Sequence, residues 1–270
     1  MAISADTKKA LLWDQVGERI YETGDRNVAL YVYQDTEETF TDKKSTDPSV
    51  SDTLTVKTHF YNGVAWNGIT AMTESPSGAE PTDLWADDTK YATLRSAEQF
   101  GGTIEAYTYP DAWGQCDGTE TPIDGVFLGQ QKRKQFSLAY ITTEGNDVDL
   151  NDFGEKIHLV YAATASPSER SYATINDSPE AITFSWEYTT SPVDCKYNGT
   201  EYKKLSCITL SERGICYTKN GSSWTKVEAK AAKWEAFKQI LFGADPDTTA
   251  HTEGINPHLP MPSDVVAFFQ

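Results

Sequence analysis

The residues of this chain that could carry out catalysis are scattered. Its four histidines are not grouped in any catalytic motif, and no segment matches a nucleophile elbow, a zinc-protease helix, a phosphate-binding loop or a dinucleotide-binding loop. Because the chain has 40 acidic residues, two carboxylates at the spacing of a glycosidase pair are expected by chance almost anywhere in it. Such a pair is therefore no evidence for glycosidase activity. We therefore expect no enzymatic activity and no cofactor, and a glycosidase is the least favoured of three functions considered.

An acidic cluster and four cysteines are the remaining candidates for metal binding. The cluster consists of Glu144, Asp147, Asp149, Asp152 and Glu155. No EF-hand pattern accompanies it, so solvated loop charge is favoured over calcium binding. The cysteines are Cys116, Cys195, Cys207 and Cys216. None of them forms a C-x-x-C motif, which favours reduced thiols over a zinc site.

The charge of the chain limits its partners. A formal net charge of −17 disfavours adhesion to nucleic acid or to an anionic membrane, because neutralising phosphates requires Lys and Arg. The apolar run near the N-terminus is too short for a signal-peptide core, and no run approaches the length of a membrane span. We expect a protein made in a cytoplasm and used there or released by lysis.

Strand patterns account for most of the chain and predict a mainly β domain spanning 1–270. Alternation is clearest in 182–189, where Phe184, Trp186 and Tyr188 share one face. Further strands are predicted at 28–33, 53–61, 103–109, 136–142 and 157–163, with a turn over 22–27 and a Pro-rich, acidic loop over 74–88. This density of strands and turns is typical of a β-sandwich or barrel.

One flanking α-helix is predicted at about 225–242. Its apolar residues recur at helical spacing with lysines opposite, and Gly243 is expected to end it. These residues are Val227, Ala231, Trp234, Phe237 and Leu241. The C-terminal tail, 244–270, ends in an apolar tip, VVAFF, which either fills a groove on its own domain or docks on a neighbour.

Residues 193–227 are predicted to form inserted β-hairpins. CKYNGTEYK (195–203) is similar to CYTKNGSSWTK (216–226), and each contains an Asn-Gly turn. The strand candidates 207–210 and 215–218 are expected to pair with each other, which would bring two reduced cysteines close together.

Two polar segments could contact a partner. Residues 34–58 form a long polar stretch, whose part 34–53 has six acids and two lysines. It is interpreted equally well as a surface loop or as an arm that orders against a partner. The basic run Lys132, Arg133 and Lys134 is most simply a solvated strand end. The alternative is a contact for acidic loops of another subunit.

The chain contains an internal repeat. ITAMTESPS (69–77) returns as VYAATASPS (160–168), and SAEQFGGTIEAYTYP (96–110) aligns with SPEAITFSWEYTTSP (178–192). Two copies are too few for a solenoid. They indicate a duplicated strand–loop–strand element folded against itself within one domain.

Several blocks of this sequence, taken together, resemble a known family. The blocks are WDQVGERIYETG (13–24), GVAWNGITAMTESPSGAEPTDLWADDTKY (63–91), EQFGGTIEAYTYPD (98–111), CDG (116–118), HLVYAATASPSE (158–169), NDSPEAITFSWEYTT (176–190), ILFG (240–243) and LPMPSDV (259–265). They resemble the major tail tube protein of long-tailed, siphovirus-type bacteriophages and prophages of Gram-positive bacteria. Segment 34–58 is longer than the family pattern, and 193–227 has no counterpart in it.

The resemblance implies a structural virion protein with a tail-tube fold. Hexameric rings of the family stack into a tube that encloses the tape measure protein and conducts DNA during ejection, without specific DNA binding, membrane or enzymatic activity. Other expected partners are the tail terminator and the distal tail or baseplate proteins, with assembly in the host bacterial cytoplasm. The segment 34–58 becomes the candidate inter-ring arm, and Lys132, Arg133 and Lys134 the candidate inter-subunit contact. The candidate arm residues are Glu37, Glu38, Asp42, Lys43, Lys44 and Asp47.

The acidic composition fits passage of DNA through such a tube. An acidic lumen would repel phosphates, and we expect net acidity on the lumen face. The alternative function is a soluble β-sandwich binding module, for instance for carbohydrate, that uses exposed Trp and Tyr. Such a module would remain monomeric and would be stabilised by its ligand.

Overall fold

The computed structural model describes residues 16–35, 38–43, 53–78, 81–94, 98–172, 174, 181–197, 200–201, 204–220, 223–246 and 254–270. The strands are β1 (Tyr21–Val32), β2 (Glu38–Lys43), β3 (Thr53–Thr58), β4 (Phe60–Tyr61), β5 (Val64–Ala65), β6 (Ile69–Glu74), β7 (Thr82–Ala86), β8 (Thr89–Leu94), β9 (Gly101–Ala106), β10 (Glu120–Ile123), β11 (Val126–Leu128), β12 (Phe136–Asn146), β13 (Leu150–Ala165), β14 (Phe184–Thr190), β15 (Lys196–Tyr197), β16 (Thr200–Glu201), β17 (Cys207–Ser211), β18 (Tyr217–Asn220), β19 (Ser223–Lys226) and β20 (His258–Leu259). The helices are α1 (Gly114–Asp117), α2 (Glu212–Cys216), α3 (Glu228–Phe242) and α4 (Pro262–Phe269).

An antiparallel sheet of eight strands forms the framework. Along its main path the order is β5-β1-β12-β13-β14-β9-β6, and β17 pairs with β13 beside this path. β13 therefore pairs with β12, with β17 at residues 156–160, and with β14 at residues 163–165. The prediction of a mainly β domain is confirmed. The alternative prediction, a closed barrel, is wrong for a single chain, because the end strands β5 and β6 are not hydrogen-bonded to each other in the described structure.

The segment predicted as a turn over 22–27 is part of β1. This strand pairs with β12 from end to end, and two register shifts interrupt the pairing. Gly24 and Asn27 have φ angles of 66° and 53°, a conformation that Gly and Asn adopt more easily than most residues. The turn-forming residues therefore make β-bulges, which bend the strand without reversing the chain.

The two copies of the internal repeat lie side by side in the sheet. One copy contributes β6 and β9, the other the end of β13 and β14, and their order is β6-β9-β14-β13. Ile104 and Trp186 occupy the same position in the repeat and lie opposite each other where β9 pairs with β14. The repeat is thus folded against itself around a local two-fold axis. The symmetry is limited to this pair, because Met72 lies opposite Ile104 whereas the corresponding Ala163 lies opposite Thr190.

One face of the sheet packs against the helices. Tyr31 of β1, Ile141 of β12 and Leu159 of β13 are fully buried there against Trp234 and Phe237 of α3. Burying aromatic side chains of this size contributes about 1.5–3 kcal/mol for each of them. α3 is therefore an integral part of the domain.

α3 is the predicted flanking helix, and it begins at Glu228 instead of about 225. The residues immediately before it, 223–226, form β19, and Val227 is the extended residue that precedes the helix. The predicted end is confirmed, because Gly243 follows the last turn with a φ of 81°. The buried hydroxyl of Tyr31 donates a 2.6 Å hydrogen bond to the carbonyl oxygen of Leu241, which the end of the helix leaves without a helical partner.

The apolar C-terminal tip packs on its own domain. It forms α4, in which the rings of Phe268 and Phe269 lie 5.4 Å and 5.0 Å from the ring of Phe237. The hydroxyl of buried Tyr161 donates a 3.0 Å hydrogen bond to the carbonyl oxygen of Pro260, just before this helix. Of the two predicted roles of the tip, filling a groove on its own domain is the one observed.

A second core lies on the other face of the sheet. Trp66, Trp113 and Trp186 meet there with ring centroids 4.7–5.6 Å apart. Tyr188 of β14 contacts Phe136 of β12, with centroids 6.1 Å apart. The same core joins Leu30 of β1 to Ile104 of β9. Because β1 and β9 lie near opposite ends of the strand order, the β6-β9-β14 end of the sheet folds over the β1-β12-β13 end.

Residues 193–227 form small hairpins and one strand of the main sheet. The hairpins β15–β16 and β18–β19 lie where the sequence predicted them. The predicted pairing of 207–210 with 215–218 is wrong, because β17 pairs with β13 and α2 follows it. This arrangement packs Ile208 and Leu210 against the helix-covered core. All four cysteines are free, with Cys207 exposed and Cys216 buried.

No helix among the described residues is both long and apolar enough to cross a membrane.

Candidate functional site

A hairpin of β7 and β8 stands at the surface where the sequence predicted a loop over 74–88. Asp87 and Asp88 form its turn with φ angles of 52° and 60°, as a type I′ hairpin turn requires. An ion pair of 2.8 Å between Lys90 and Asp83 links the two strands. The prediction missed this hairpin because Asp-Asp is a weaker turn indicator than Asn-Gly or Asp-Gly.

The β7–β8 hairpin exposes large apolar side chains. Trp85 is 68% exposed and Tyr91 is 76% exposed. Strand alternation and the pairing of Leu84 with Ala92 place Trp85 and Tyr91 on one face of the hairpin, and Leu84 and Leu94 on the other. An isolated two-stranded hairpin is only marginally stable in water, so contact with a partner would stabilise this one. Its exposed apolar side chains are available for such a contact.

The β10–β11 hairpin has the same property. Its strands join at Asp124 and Gly125, and the φ of 83° at the glycine suits a tight turn. Ile123 and Phe127 are 68% and 69% exposed, and Val126 and Leu128 are exposed as well. Since 126–128 are three consecutive apolar residues, both faces of β11 are apolar.

The basic run lies between β11 and β12, directly beside this second hairpin. Lys132 and Lys134 are exposed, and neither forms an ion pair within the part of the chain that the structure describes. Arg133 is half-buried and donates a 3.1 Å hydrogen bond from its Nε to the carbonyl oxygen of Asp117. The backbone N–H of Lys134 donates to the carbonyl oxygen of Gln115 at 2.9 Å. The loop is therefore fixed while two ammonium groups face solvent.

The candidate arm is a hairpin with a narrow base. β2 pairs with β3 in register, with Glu38 opposite Thr58. The backbone N–H of Gln34 donates a 3.0 Å hydrogen bond to the carbonyl oxygen of His59, so the arm leaves and re-enters the domain at one point. Of its six candidate residues, Glu38, Asp42 and Lys43 lie in β2. The other three, Glu37, Lys44 and Asp47, lie outside the described residues.

Three strands of the main sheet have one unpaired edge each within the described ranges, and the shortest of them is the two-residue β5, which pairs only with β1. β6 pairs with β9, and β17 pairs with β13. Unpaired edges expose backbone N–H and C=O groups, which can bind a strand from another chain. The sheet therefore offers a second type of contact besides the hairpins.

A polar cluster joins the two ends of the folded sheet. The hydroxyl of Tyr140 in β12 donates a 2.6 Å hydrogen bond to Glu74 in β6, and the Tyr140 ring stacks on His158 with centroids 4.7 Å apart. His158 lies 3.3 Å from a carboxylate oxygen of Glu22 in β1 and 3.7 Å from one of Glu74. Lys156 forms a 2.8 Å ion pair with Glu22.

Burial determines the charge state of this cluster. It lowers the pKa of His158 below its usual 6.5, although the carboxylates of Glu74 and Glu22 oppose the shift. Burial also raises the pKa of Tyr140, and the hydrogen bond to Glu74 raises it further. At pH 7 the cluster therefore holds a neutral imidazole and a protonated phenol, which suit a structural link. No sequence pattern could have found it, because its members come from strands distant in the chain.

The acidic residues at 144–155 do not form a single site, because individual members contact different parts of the chain. Glu144 accepts a 3.0 Å hydrogen bond from Ser211, and Glu155 accepts one of 2.9 Å from the indole N–H of Trp234. Both carboxylate residues are buried, so the expectation of solvated loop charge is wrong for them. Across the described ranges, no three His, Cys, Asp or Glu side chains are arranged to hold a metal ion.

Comparison of the sequence with family models and with curated proteins gives no match. No family model matches this chain, and no curated protein is significantly similar to it in sequence. The function must therefore be argued from the surfaces described above and from the sequence blocks.

Proposed function

We propose that this chain is a tail tube subunit of a long-tailed bacteriophage or prophage of a Gram-positive host. Copies of the chain form hexameric rings, and the rings stack into the tube that encloses the tape measure protein and conducts DNA during ejection. The observation that carries the proposal is the pair of surface hairpins with unburied apolar side chains. The resemblance of the sequence blocks supports the same function.

The two hairpins favour association of the chain with other chains. Large exposed apolar patches on a soluble domain mark sites of protein contact. Full burial from complete exposure contributes about 1.5–3 kcal/mol for each large apolar side chain. Since Trp85, Tyr91, Ile123 and Phe127 are 68–76% exposed, burying their remaining surface would contribute about 4–8 kcal/mol in total. That range overlaps the estimated cost of association, roughly 4–15 kcal/mol, so these contacts can account for much of the required energy.

The finer fold that we propose is a β-sandwich that completes a barrel only in the ring. The β6-β9-β14 end folded over the β1-β12-β13 end, with the tryptophan core between them, fits a sandwich. The unpaired edges of β6 and β17 fit strand pairing between neighbouring subunits. A barrel closed across six subunits would leave no edge exposed.

The arm is proposed to connect successive rings. Its narrow base allows a clean test, because residues 34 and 59 are already joined by a backbone hydrogen bond. Replacing 36–57 by a short Gly-Ser link should leave a folded chain that forms rings but not tubes. The thermal midpoint and electron micrographs of the variant would measure both properties. Normal tubes would refute the assignment of the arm.

The acidity of the chain fits a conduit for DNA. Six copies would carry a formal charge of −102, six times the −17 of one chain. Charge of this sign repels phosphate groups and prevents adhesion to the passing genome. We expect net acidity on the lumen face, and a basic lumen in a structure of the ring would contradict this account.

The remaining parts of the proposal follow from the same role. The other partners are the tail terminator and the distal tail or baseplate proteins, and the chain resides in the virion after assembly in the bacterial cytoplasm. A structural subunit of this kind needs neither a catalytic activity nor a cofactor.

Negative-stain microscopy at rising protein concentration, together with size-exclusion chromatography, tests the proposed function. Hollow rings or tubes of uniform width are expected. A strictly monomeric protein at all concentrations would contradict self-assembly by the isolated chain. The variant Val148→Asp is a suitable control, because Val148 is exposed and lies in the β12–β13 connection, which belongs to neither hairpin.

The alternative function, a carbohydrate-binding module, is favoured by one observation. Trp85 and Tyr91 are exposed on the same hairpin, and exposed aromatic rings can stack on sugars. A monomeric protein whose thermal midpoint rises in a glycan screen would support this alternative. A midpoint unchanged by every glycan, in a protein that forms rings, would exclude it.

A further inference from the structure

The two exposed hairpins have no partner strand within the described chain. β7–β8 and β10–β11 are separate two-stranded sheets outside the eight-stranded sheet. Each exposes apolar residues on more than one side, so neither hairpin can bury its apolar surface against a single flat neighbour in its own domain. The chain therefore presents two distinct apolar patches.

The two patches have charges of opposite sign. Residues 82–94 carry three aspartates and one lysine, whereas 120–134 carry two acids and three basic residues. The turn residues Asp87 and Asp88 and the exposed Lys132 and Lys134 form no ion pairs in the described structure. In a chain of net charge −17, the basic excess of this surface is available for pairing with an acidic surface.

We propose that the β7–β8 hairpin of one copy docks on the β10–β11 hairpin and the adjoining basic run of the next copy. Trp85 and Tyr91 then pack against Ile123 and Phe127, while the acidic turn faces the basic run. This inference rests on the proposed function, because it identifies the contact between neighbouring subunits of the ring.

The charges select a head-to-tail contact over self-pairing of either hairpin. If β7–β8 paired with its own copy, two acidic turns would approach each other, and like charges at an interface oppose association. A contact between two different patches leaves one free patch of each kind at the ends of a dimer. Further copies therefore add until the ring closes.

Two single variants test the contact. Trp85→Asp disables the first hairpin and Phe127→Asp disables the second, and both side chains are largely exposed, so the thermal midpoint should not change. Each variant alone should lose association at least tenfold and sediment as a monomer. Mixed together they should form a heterodimer and nothing larger, because the mixture retains one intact pair of patches. Val148→Asp, measured in parallel, should associate like the wild-type chain.

A charge exchange tests the turn and the basic run separately. The double variant Asp87→Lys/Asp88→Lys should associate at least tenfold more weakly. Adding Lys132→Glu/Lys134→Glu to the same chain should restore association to within a few-fold of the wild type. Rescue of this kind requires the two regions to meet, since each pair of substitutions alone is unfavourable.

The outcomes separate this inference from the proposed function. If the wild-type chain and both single variants form tubes, the hairpin contact is wrong and the tube remains. If the mixture yields a heterodimer but the wild-type chain forms only open oligomers, the contact is right and the ring is wrong. Either single variant dimerising on its own would refute the head-to-tail contact, and a wild-type chain that stays monomeric would refute both.

Discussion

Replacing Glu155 by Gln tests how strongly one buried carboxylate holds α3 against the sheet. Its side chain in β13 is only 11% exposed, and it lies 2.9 Å from Arg26 of β1 and 2.8 Å from Lys238 of α3. It also accepts a 2.9 Å hydrogen bond from the indole N–H of Trp234. Gln keeps the shape and one acceptor oxygen but removes the negative charge that these groups share.

The expected change in the free energy of unfolding depends on how exposed the partners of the Glu155 carboxylate are. The ion pair with Arg26 contributes about 0–1 kcal/mol, because that guanidinium is half exposed. The charge-assisted hydrogen bond from Lys238, which is 26% exposed, contributes about 1.5–3 kcal/mol. Gln retains the hydrogen bond from Trp234. We therefore expect Glu155→Gln to lower the free energy of unfolding by about 2–3 kcal/mol at pH 7.

The loss of stability caused by Glu155→Gln should be larger at neutral pH than at acidic pH. Burial by itself would raise the pKa of Glu155, but Lys238, Trp234 and Arg26 together lower it below the usual 4.5. A carboxyl group with a lowered pKa stabilises the fold above pH 4.5, and this contribution is lost as the pH falls through the folded-state pKa. The difference between the wild-type chain and the Gln variant should be complete at pH 7 and small near pH 3.

Urea denaturation followed by tryptophan fluorescence at both pH values measures this difference. Glu235→Gln is the matched control on the same helix, because its carboxylate is 65% exposed and lies 3.6 Å from Lys238. That control should change the free energy of unfolding by less than about 1 kcal/mol. A loss below 1 kcal/mol for the Glu155 variant at pH 7, or an equal loss at both pH values, would refute the reasoning.

Three further predictions concern the sheet and the thiols. Gly102→Ala should cost about 3 kcal/mol or more, because the added Cβ would meet the backbone of β6 and the ring of Tyr188, whereas Gly129→Ala, with open space around it, should be near neutral in the same urea titration. The lowered pKa of His158 predicts that stability falls between pH 7 and pH 5, since the unfolded chain takes up the proton near 6.5 and the folded chain does so at a lower pH. His158→Gln should flatten that fall, and an unchanged fall would contradict the prediction. Alkylation of the native protein at pH 8, followed by mass spectrometry, should modify Cys207 alone, because the other cysteines are buried.

The strands that the sequence predicted best are those with one buried face. In β14, Trp186 and Tyr188 are buried and Ser185 and Glu187 are exposed, as the alternation indicated. In β9, Ile104 and Ala106 are buried in the same way. In a half-buried strand, apolar residues alternate with polar ones, so such a strand can be predicted from its own sequence alone.

The elements that the sequence missed are those without a buried face. β7 and β8 are exposed almost throughout, so their residues show no apolar–polar alternation and resemble a loop. The bulged part of β1 has the sequence of a turn for a related reason. Gly24 and Asn27 are compatible with both structures, and the choice depends on pairing with β12, which is distant in sequence.

Only part of the candidate contact surfaces could be predicted from the local sequence. The basic run could be located from the sequence, because three consecutive cations are visible in any acidic chain. The exposure of Trp85 and Phe127 could not, since aromatic residues in strands are usually buried. Only the arrangement of the sheets shows that these two hairpins lie outside the core.

Net charge and local contacts act in opposite directions on the proposed assembly. Chains of charge −17 repel one another, but at physiological salt the Debye length is about 8 Å, so most charges on neighbouring subunits are screened from each other. Opposite charges that meet at an interface lie within that length and remain effective. An acidic subunit can therefore assemble if some of its cations lie where two copies touch. Lys132 and Lys134, exposed beside an apolar hairpin, occupy such a position, which is the physical reason to expect that the basic run serves assembly.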